Sequence, residues 1–313
     1  MKASLTKNQR SKGSLKKNSI HEFAIALANS KSGLLGGFLV VLMFVLAIFA
    51  PLIAPYDPTA IDVSNRLKPP SFSHWMGTDL AGRDVLSRVI WGARPSLQVG
   101  VLAVIIGMPG GIVIGLLAGF YRGSILETIL MRATEIIAAV PLLIVAVAIV
   151  GILGVKPIDL GVFSITNEIK IVFVLGLLYI PGLARVVFAV ASTEAVSDYV
   201  RARRTQGVGD FSLIFGDVLP NCLSVVTVWA TLLTAGGVLA EAGLSFVGLG
   251  VQPPEASWGV MLSEARKFIF SGEWWLLLFP GCAISFTVIG FNLFGDALRD
   301  ILDPRHYTGP RIN

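Results

Sequence analysis

The sequence predicts an all-α integral membrane protein, a bundle of about six transmembrane helices, and three observations carry that expectation. Charged residues make up only 14% of the chain and hydrophobic ones 54%, whereas an ordinary soluble domain is about 25% charged. The apolar residues are also gathered into long runs. A helix rising about 1.5 Å per residue needs roughly 20 of them to cross a hydrocarbon core about 30 Å thick. Lipid offers backbone amides no hydrogen-bond partner, so each such run must be a helix that satisfies its own backbone.

Six runs qualify, from Leu34 to Ile53, Val99 to Phe120, Ile136 to Leu153, Ile171 to Val190, Cys222 to Ala240 and Trp274 to Phe294. The first reads as an anchor and not a cleaved signal, because residues 1–33 ahead of it are mostly polar and its apolar stretch exceeds a usual signal core. The resulting organisation is a cytoplasmic amino-terminal segment (1–33), a first transmembrane helix (34–53), an external loop (54–98), a core with five further helices (99–296) containing a loop at about 192–221, and a cytoplasmic tail (297–313). Gly110, Gly111, Gly115 and Gly119 in the second run permit close helix packing, and Pro141 and Pro181 introduce kinks into the third and fourth. Cys222 and Cys282 fall near opposite faces and read as packing residues, not a disulfide.

Charge sets the orientation. Lys2, Lys7, Arg10, Lys12, Lys16, Lys17 and Lys31 precede or open the first run with Glu22 as the one acid among them, so the amino terminus, and with an even number of spans the carboxyl terminus, is expected on the cytoplasmic side. The formal charge of +5 does not indicate a nucleic-acid partner, because the basic residues gather at membrane borders and do not line one face of a soluble domain. In the external loop, Thr78 or Asp79 is expected to cap a helix whose Val85, Leu86, Val89 and Ile90 lie against the membrane surface, with Arg83, Asp84 and Arg88 on its solvated face.

The loop between the fourth and fifth runs, Ser192 to Asn221, reads as two short helices with a bend. Asp198 to Gln206 favour helix and Gly207 suits the left-handed position that ends one. Asp210 then caps a second helix through Phe211, Leu213 and Ile214 until Pro220. Arg201, Arg203 and Arg204 are positive-inside charges or contacts to anionic lipid. Tyr199, Val200, Phe211 and Ile214 would be left wet on such an elbow, which predicts a docking surface for another protein.

Four stretches in order then resemble the inner-membrane permeases of binding-protein-dependent ABC importers, in particular the second permease of the dipeptide, oligopeptide and nickel branch. They are Gly77-Thr-Asp-x-x-Gly-Arg-Asp-x-x-Ser-Arg88, Tyr199 to Asn221, Leu244-Ser-Phe-Val-Gly-Leu-Gly250 with Trp258-Gly-x-Met261, and Phe291-Asn-x-x-Gly-Asp-x-x-Arg-Asp-x-x-Asp-Pro304. The resemblance implies a type I importer bundle with a coupling loop at 198–218. The positions matching the family's signature are Arg201, Ala202, Arg203, Gly207, Leu219 and Pro220, and with Tyr199, Asp210 and Phe211 they form the expected ATPase contact. Arg201 and Arg203 stand where the family usually has Glu and Ala, and Asp217 where it has His or an aliphatic residue. Those departures reverse a charge and suggest a matching acidic change on the ATPase.

The partners implied are a second homologous permease, two cytoplasmic ATPases, an external solute-binding protein and membrane lipid. The sequence contains no Gly-x-x-x-x-Gly-Lys-[Ser/Thr] phosphate loop. No cofactor is therefore expected on this chain, ATP being used by the partner subunits. A zinc-type His-Glu-x-x-His motif and a Gly-x-Ser-x-Gly elbow are both absent from the sequence, so no catalytic residue or metal is expected, and His21, His74 and His306 all fall outside the apolar runs. Glu241, at the outer end of the fifth run, has two readings, a group in the solute path or gate and a local structural bond. Arg185 is expected to snorkel to the inner surface. A secondary transporter, the rival reading, would need ionisable groups along its path, and these are scarce here.

Overall fold

A computed structural model describes residues 26–27, 30–159, 164–268 and 270–302. Most of the basic amino-terminal segment, His21, His306 and the last residues of the fourth motif stretch lie outside them.

Helix α1 (Lys31–Ile48) starts at Ser30, whose hydroxyl accepts from the Gly33 amide at 3.2 Å, and a short α2 (Ala50–Ile53) extends the span. Helix α3 (Val85–Phe120) is 36 residues long. The surface helix expected in the external loop is therefore the first part of the second span. Its cap is Asp84, not Thr78 or Asp79, and Val85, Val89 and Ile90 are buried in protein.

The third span is broken. Helix α4 (Ile125–Ala138) and α5 (Leu142–Leu153) meet at an angle of 78°, because Pro141 cannot continue a helix and forces the residue before it out of the helical region. Helix α6 (Asn167–Glu194) accommodates Pro181 without a break. Helix α7 (Asp198–Thr205) and α8 (Asp210–Leu213) form the elbow, a π turn (Ile214–Val218) follows, and α9 (Leu219–Phe246) is the fifth span. Helix α10 (Trp258–Ala265) is short and α11 (Trp275–Leu302) is the last span. With the bent pair counted as one, six segments among the described residues are long and apolar enough to cross a membrane. A two-stranded antiparallel ladder, β1 (Ile158–Asp159) with β2 (Ser164–Ile165), closes the loop before α6.

The bundle is organised around the pairing of α3 with α6, and glycines make it close. A Cβ on Gly115 would lie 2.6 Å from the Ala184 carbonyl oxygen, and one on Gly119 would lie 2.6 Å from the Ala191 Cβ. Lipid tails are as apolar as leucine, so helix association in a membrane depends on such close van der Waals contact. Of the glycines expected to pack, Gly111, Gly115 and Gly119 are buried along this seam, Gly107 continues their four-residue spacing, and Gly110 sits at its edge.

At the end of the bundle away from the elbow, a largely buried polar cluster joins segments distant in sequence. Arg83 Nε donates to Asp79 Oδ2 at 2.6 Å and Arg83 Nη2 to Glu264 Oε2 at 2.9 Å, while Arg88 Nη2 reaches the same Glu264 oxygen at 3.0 Å. Arg83, Asp84 and Arg88 are thus buried, and Arg88 is 1% exposed; the expected solvated face does not exist. Burial alone would lower the basicity of Arg83, but the charges of Asp79 and Glu264 outweigh it and hold the group above its ordinary value. Asp84 caps α3 through the Ser87 amide at 2.8 Å and pairs with His74 Nδ1 at 2.9 Å. Two tryptophans fasten the rim, Trp258 Nε1 donating to the Val89 carbonyl and Trp275 Nε1 to that of Thr78.

Candidate functional site

The elbow is built from a buried apolar base and an exposed rim. Val200, Leu213, Ile214 and Val218 pack with Leu116, Leu183, Val187, Cys222 and Val226 at the ends of α3, α6 and α9. Two of the four apolar residues expected on the docking surface, Val200 and Ile214, are therefore core, because the elbow folds back onto its own spans. Phe211 remains 76% exposed and Tyr199 42% exposed. Phe215, which the sequence reading missed, is exposed one helical turn after Phe211, with ring centroids 4.7 Å apart. Arg201, Ala202 and Arg204 are exposed beside them.

Gly207 adopts φ +83°, the left-handed conformation expected of it, and its amide and that of Val208 bond to the carbonyls of Arg204 and Arg203. Asp210 is not the cap; Gly209 is, and Asp210 is the first helical residue. From there the Tyr121 hydroxyl donates to Asp210 Oδ2 at 3.1 Å, tying the elbow to the end of α3. Burial and the neighbouring carboxylate raise the Tyr121 hydroxyl above its usual value, which keeps it a donor. Pro220 does not end the second helix. The helical backbone continues from Asp210 to Phe246, with Leu219 and Pro220 opening α9. A proline in a continuous helix loses one hydrogen bond and its ring crowds the carbonyl four residues earlier, here that of Gly216. The wider π turn at Ile214–Val218 lies where that conflict falls.

Two of the three departures from the family pattern meet each other. Arg203 Nη1 donates to Asp217 Oδ1 at 2.5 Å, so the positive charge added at Arg203 is neutralised inside the chain. Arg201 has no ion pair among the described residues.

Glu241 is 0% exposed. Its carboxyl accepts from Ser96 Oγ at 2.8 Å and Ser245 Oγ at 2.6 Å, with Ser257 Oγ 3.4 Å from that of Ser245. Of its two readings this geometry supports the local bond, joining α3, α9 and the segment leading into α10. Arg185 is exposed and makes no contact with Glu241. Cys222 and Cys282 are free thiols, as expected.

The elbow and three of the four motif stretches fall within one family match. The family model described as binding-protein-dependent transport system inner membrane component matches residues 111–306. The chain belongs to that family. Residues 20–70 match a second model, the N-terminal transmembrane domain of oligopeptide transport permease C. The permease is 42% identical to the di/tripeptide transport system permease protein of Pseudomonas aeruginosa, over 91% of this chain and 92% of that one. It is 38% identical to the dipeptide transport system permease protein of Alkalihalophilus pseudofirmus, over 89% and 88%. A probable D,D-dipeptide transport system permease of Escherichia coli is 38% identical, over 85% of each. The chain is thus a multi-pass inner-membrane permease subunit of an ABC importer in the dipeptide and oligopeptide branch, and the ion-coupled alternative is not favoured.

Proposed function

We propose that this permease forms half of the translocation path for di- and oligopeptides, pairs with a second homologous permease, and is driven through residues 198–218 by two cytoplasmic ATPases that hydrolyse the ATP. An external binding protein delivers the solute, and both termini lie in the cytoplasm. The elbow carries the reading. An exposed rim of Tyr199, Phe211, Phe215, Arg201 and Arg204 stands on a buried base continuous with α3, α6 and α9, so a force on the rim reaches three spans. Aromatic and arginine side chains on a firm base are the composition that protein contacts favour.

At the opposite end, a cavity of about 710 Å³ is lined by Tyr56, Trp91, Arg94, Gln98, Glu168 and Glu255. Its volume falls in the range of about 300–1,000 Å³ usual for small-molecule pockets, and its charges of both signs suit a peptide carrying an ammonium and a carboxylate. The relatives named for di- and tripeptide transport add the same solute class.

The test is ATP-dependent peptide uptake in vesicles holding the purified complex, comparing the native chain with Gly207→Pro. Proline holds φ near −65° and cannot occupy the +83° conformation of Gly207, so the elbow breaks while the cavity is untouched. Uptake is expected to be lost with the complex still assembled. Full uptake in the variant, or uptake that needs an ion gradient and no ATP, would overturn the reading.

A further inference from the structure

The elbow must do more than touch a partner; it must move the spans behind it. Helix α7 is the part most exposed to that task and the least embedded. Val200 is its one buried side chain, so apolar packing alone holds it by a single point. The rest of its attachment is polar. The Tyr199 hydroxyl donates to Glu194 Oε2 at 2.7 Å and accepts from Asn221 Nδ2 at 2.8 Å. Arg204 meets Asp210 at 3.3 Å with both side chains about half exposed, a geometry in which water screens most of the attraction.

The Arg203–Asp217 pair differs from these. It is short, 2.5 Å, and the Asp217 side chain is 11% exposed. The second carboxylate oxygen, Oδ2, is buried without a partner, so Arg203 is the side chain that compensates the Asp217 charge. Removing the arginine would strand a largely dehydrated carboxylate. Asp217 lies inside the π turn at Ile214–Val218, the one irregular point in the helical backbone between the elbow and α9. Segments of π geometry are rare, lie frequently at functional sites and are among the places where helices kink. The ion pair therefore bridges the element a partner would push and the turn through which the push must pass.

We propose that Arg203 and Asp217 are positioning residues forming a latch, which locks α7 to the π turn so that elbow and α9 move as one lever. The inference rests on the coupling role proposed above. With the latch intact, displacement of α7 is delivered to the fifth span. Without it, the π turn absorbs the displacement, and ATP is hydrolysed with little transport.

The experiment uses the assembled complex in vesicles and measures peptide taken up per ATP hydrolysed for the native chain, Arg203→Gln, Asp217→Asn and the double variant. Each single variant is expected to assemble and hydrolyse ATP while uptake per ATP falls about tenfold, and the double variant to be no worse than either single. An unchanged ratio in Arg203→Gln would overturn the latch, as would losses that multiply as independent effects do. Hydrogen exchange on the same complex reads the latch without transport. Amides of 198–205 and 214–218 should exchange about tenfold faster in Arg203→Gln, and unchanged exchange would overturn the proposal even where uptake is lost. A native complex showing no ATP-driven uptake would instead overturn the coupling role and the lever with it.

Discussion

The two ends of this bundle each carry a group of arginines and acids, and they use them in opposite ways. At the loop end, Arg83 and Arg88 are buried with Asp79 beneath a partly exposed Glu264, and the cluster fastens the segment before α3 to the helix before the last span. At the elbow end, Arg201 and Arg204 stand in the open, and only Arg203 is engaged with a shielded acid. The same residue types thus build a clamp where they are largely drawn into the fold and an exposed rim where they are left outside. Burial decides which, because removing one partner of an enclosed pair leaves a charge with neither water nor counter-ion, while an exposed pair contributes little.

Arg88→Ala should break the contrast most severely, since it removes the most deeply buried arginine of the cluster and leaves Arg83 alone to compensate both Asp79 and Glu264. A loss of about 3–5 kcal/mol is expected, seen as a lower unfolding temperature in detergent; a shift as small as that of a surface variant would show that the cluster is wet. Gly115→Val tests the seam common to both ends. Its added atoms meet the Ala184 carbonyl and the Val187 side chain, and about 1–3 kcal/mol of overpacking should appear in the same assay.

Glu241→Ala would leave the Ser96 and Ser245 hydroxyls short of an acceptor, costing about 1–3 kcal/mol. Lost uptake with unchanged thermal stability would return this residue to the solute path. Gly207→Ala should cost about 1–2 kcal/mol through its left-handed backbone, with the change confined to elbow amides in hydrogen exchange. Phe211→Ala completes the comparison from the other side. Its ring supports no core, so stability should move by less than about 0.5 kcal/mol, whereas association with the ATPases in a pull-down should weaken about tenfold, the scale of a docking anchor. Intact association would place the contact elsewhere on the rim.

The spans, the elbow and the glycine seam were legible in the sequence because each depends on neighbours a few residues away. Apolar runs have a length, Gly207 follows a short helical stretch, and Gly111, Gly115 and Gly119 recur every four residues on one helix face. The misreadings of burial all involve distant partners. Arg88 looks solvated until Glu264, 176 residues on, comes to meet it. Val200 and Ile214 look like docking residues until the elbow folds back on Leu183 and Val226. Arg203 looks like a charge awaiting a partner subunit until Asp217 takes it.

Local composition therefore settled which segments enter the bilayer, since hydropathy and helix length are sums over adjacent residues and lipid admits few alternatives. Tertiary packing alone decided which charges are enclosed and which face outward, where the second span begins, and which apolar side chains of the elbow remain exposed. Those outcomes depend on desolvation and pairing between segments brought together by the fold, and neither quantity is a property of a residue and its immediate neighbours.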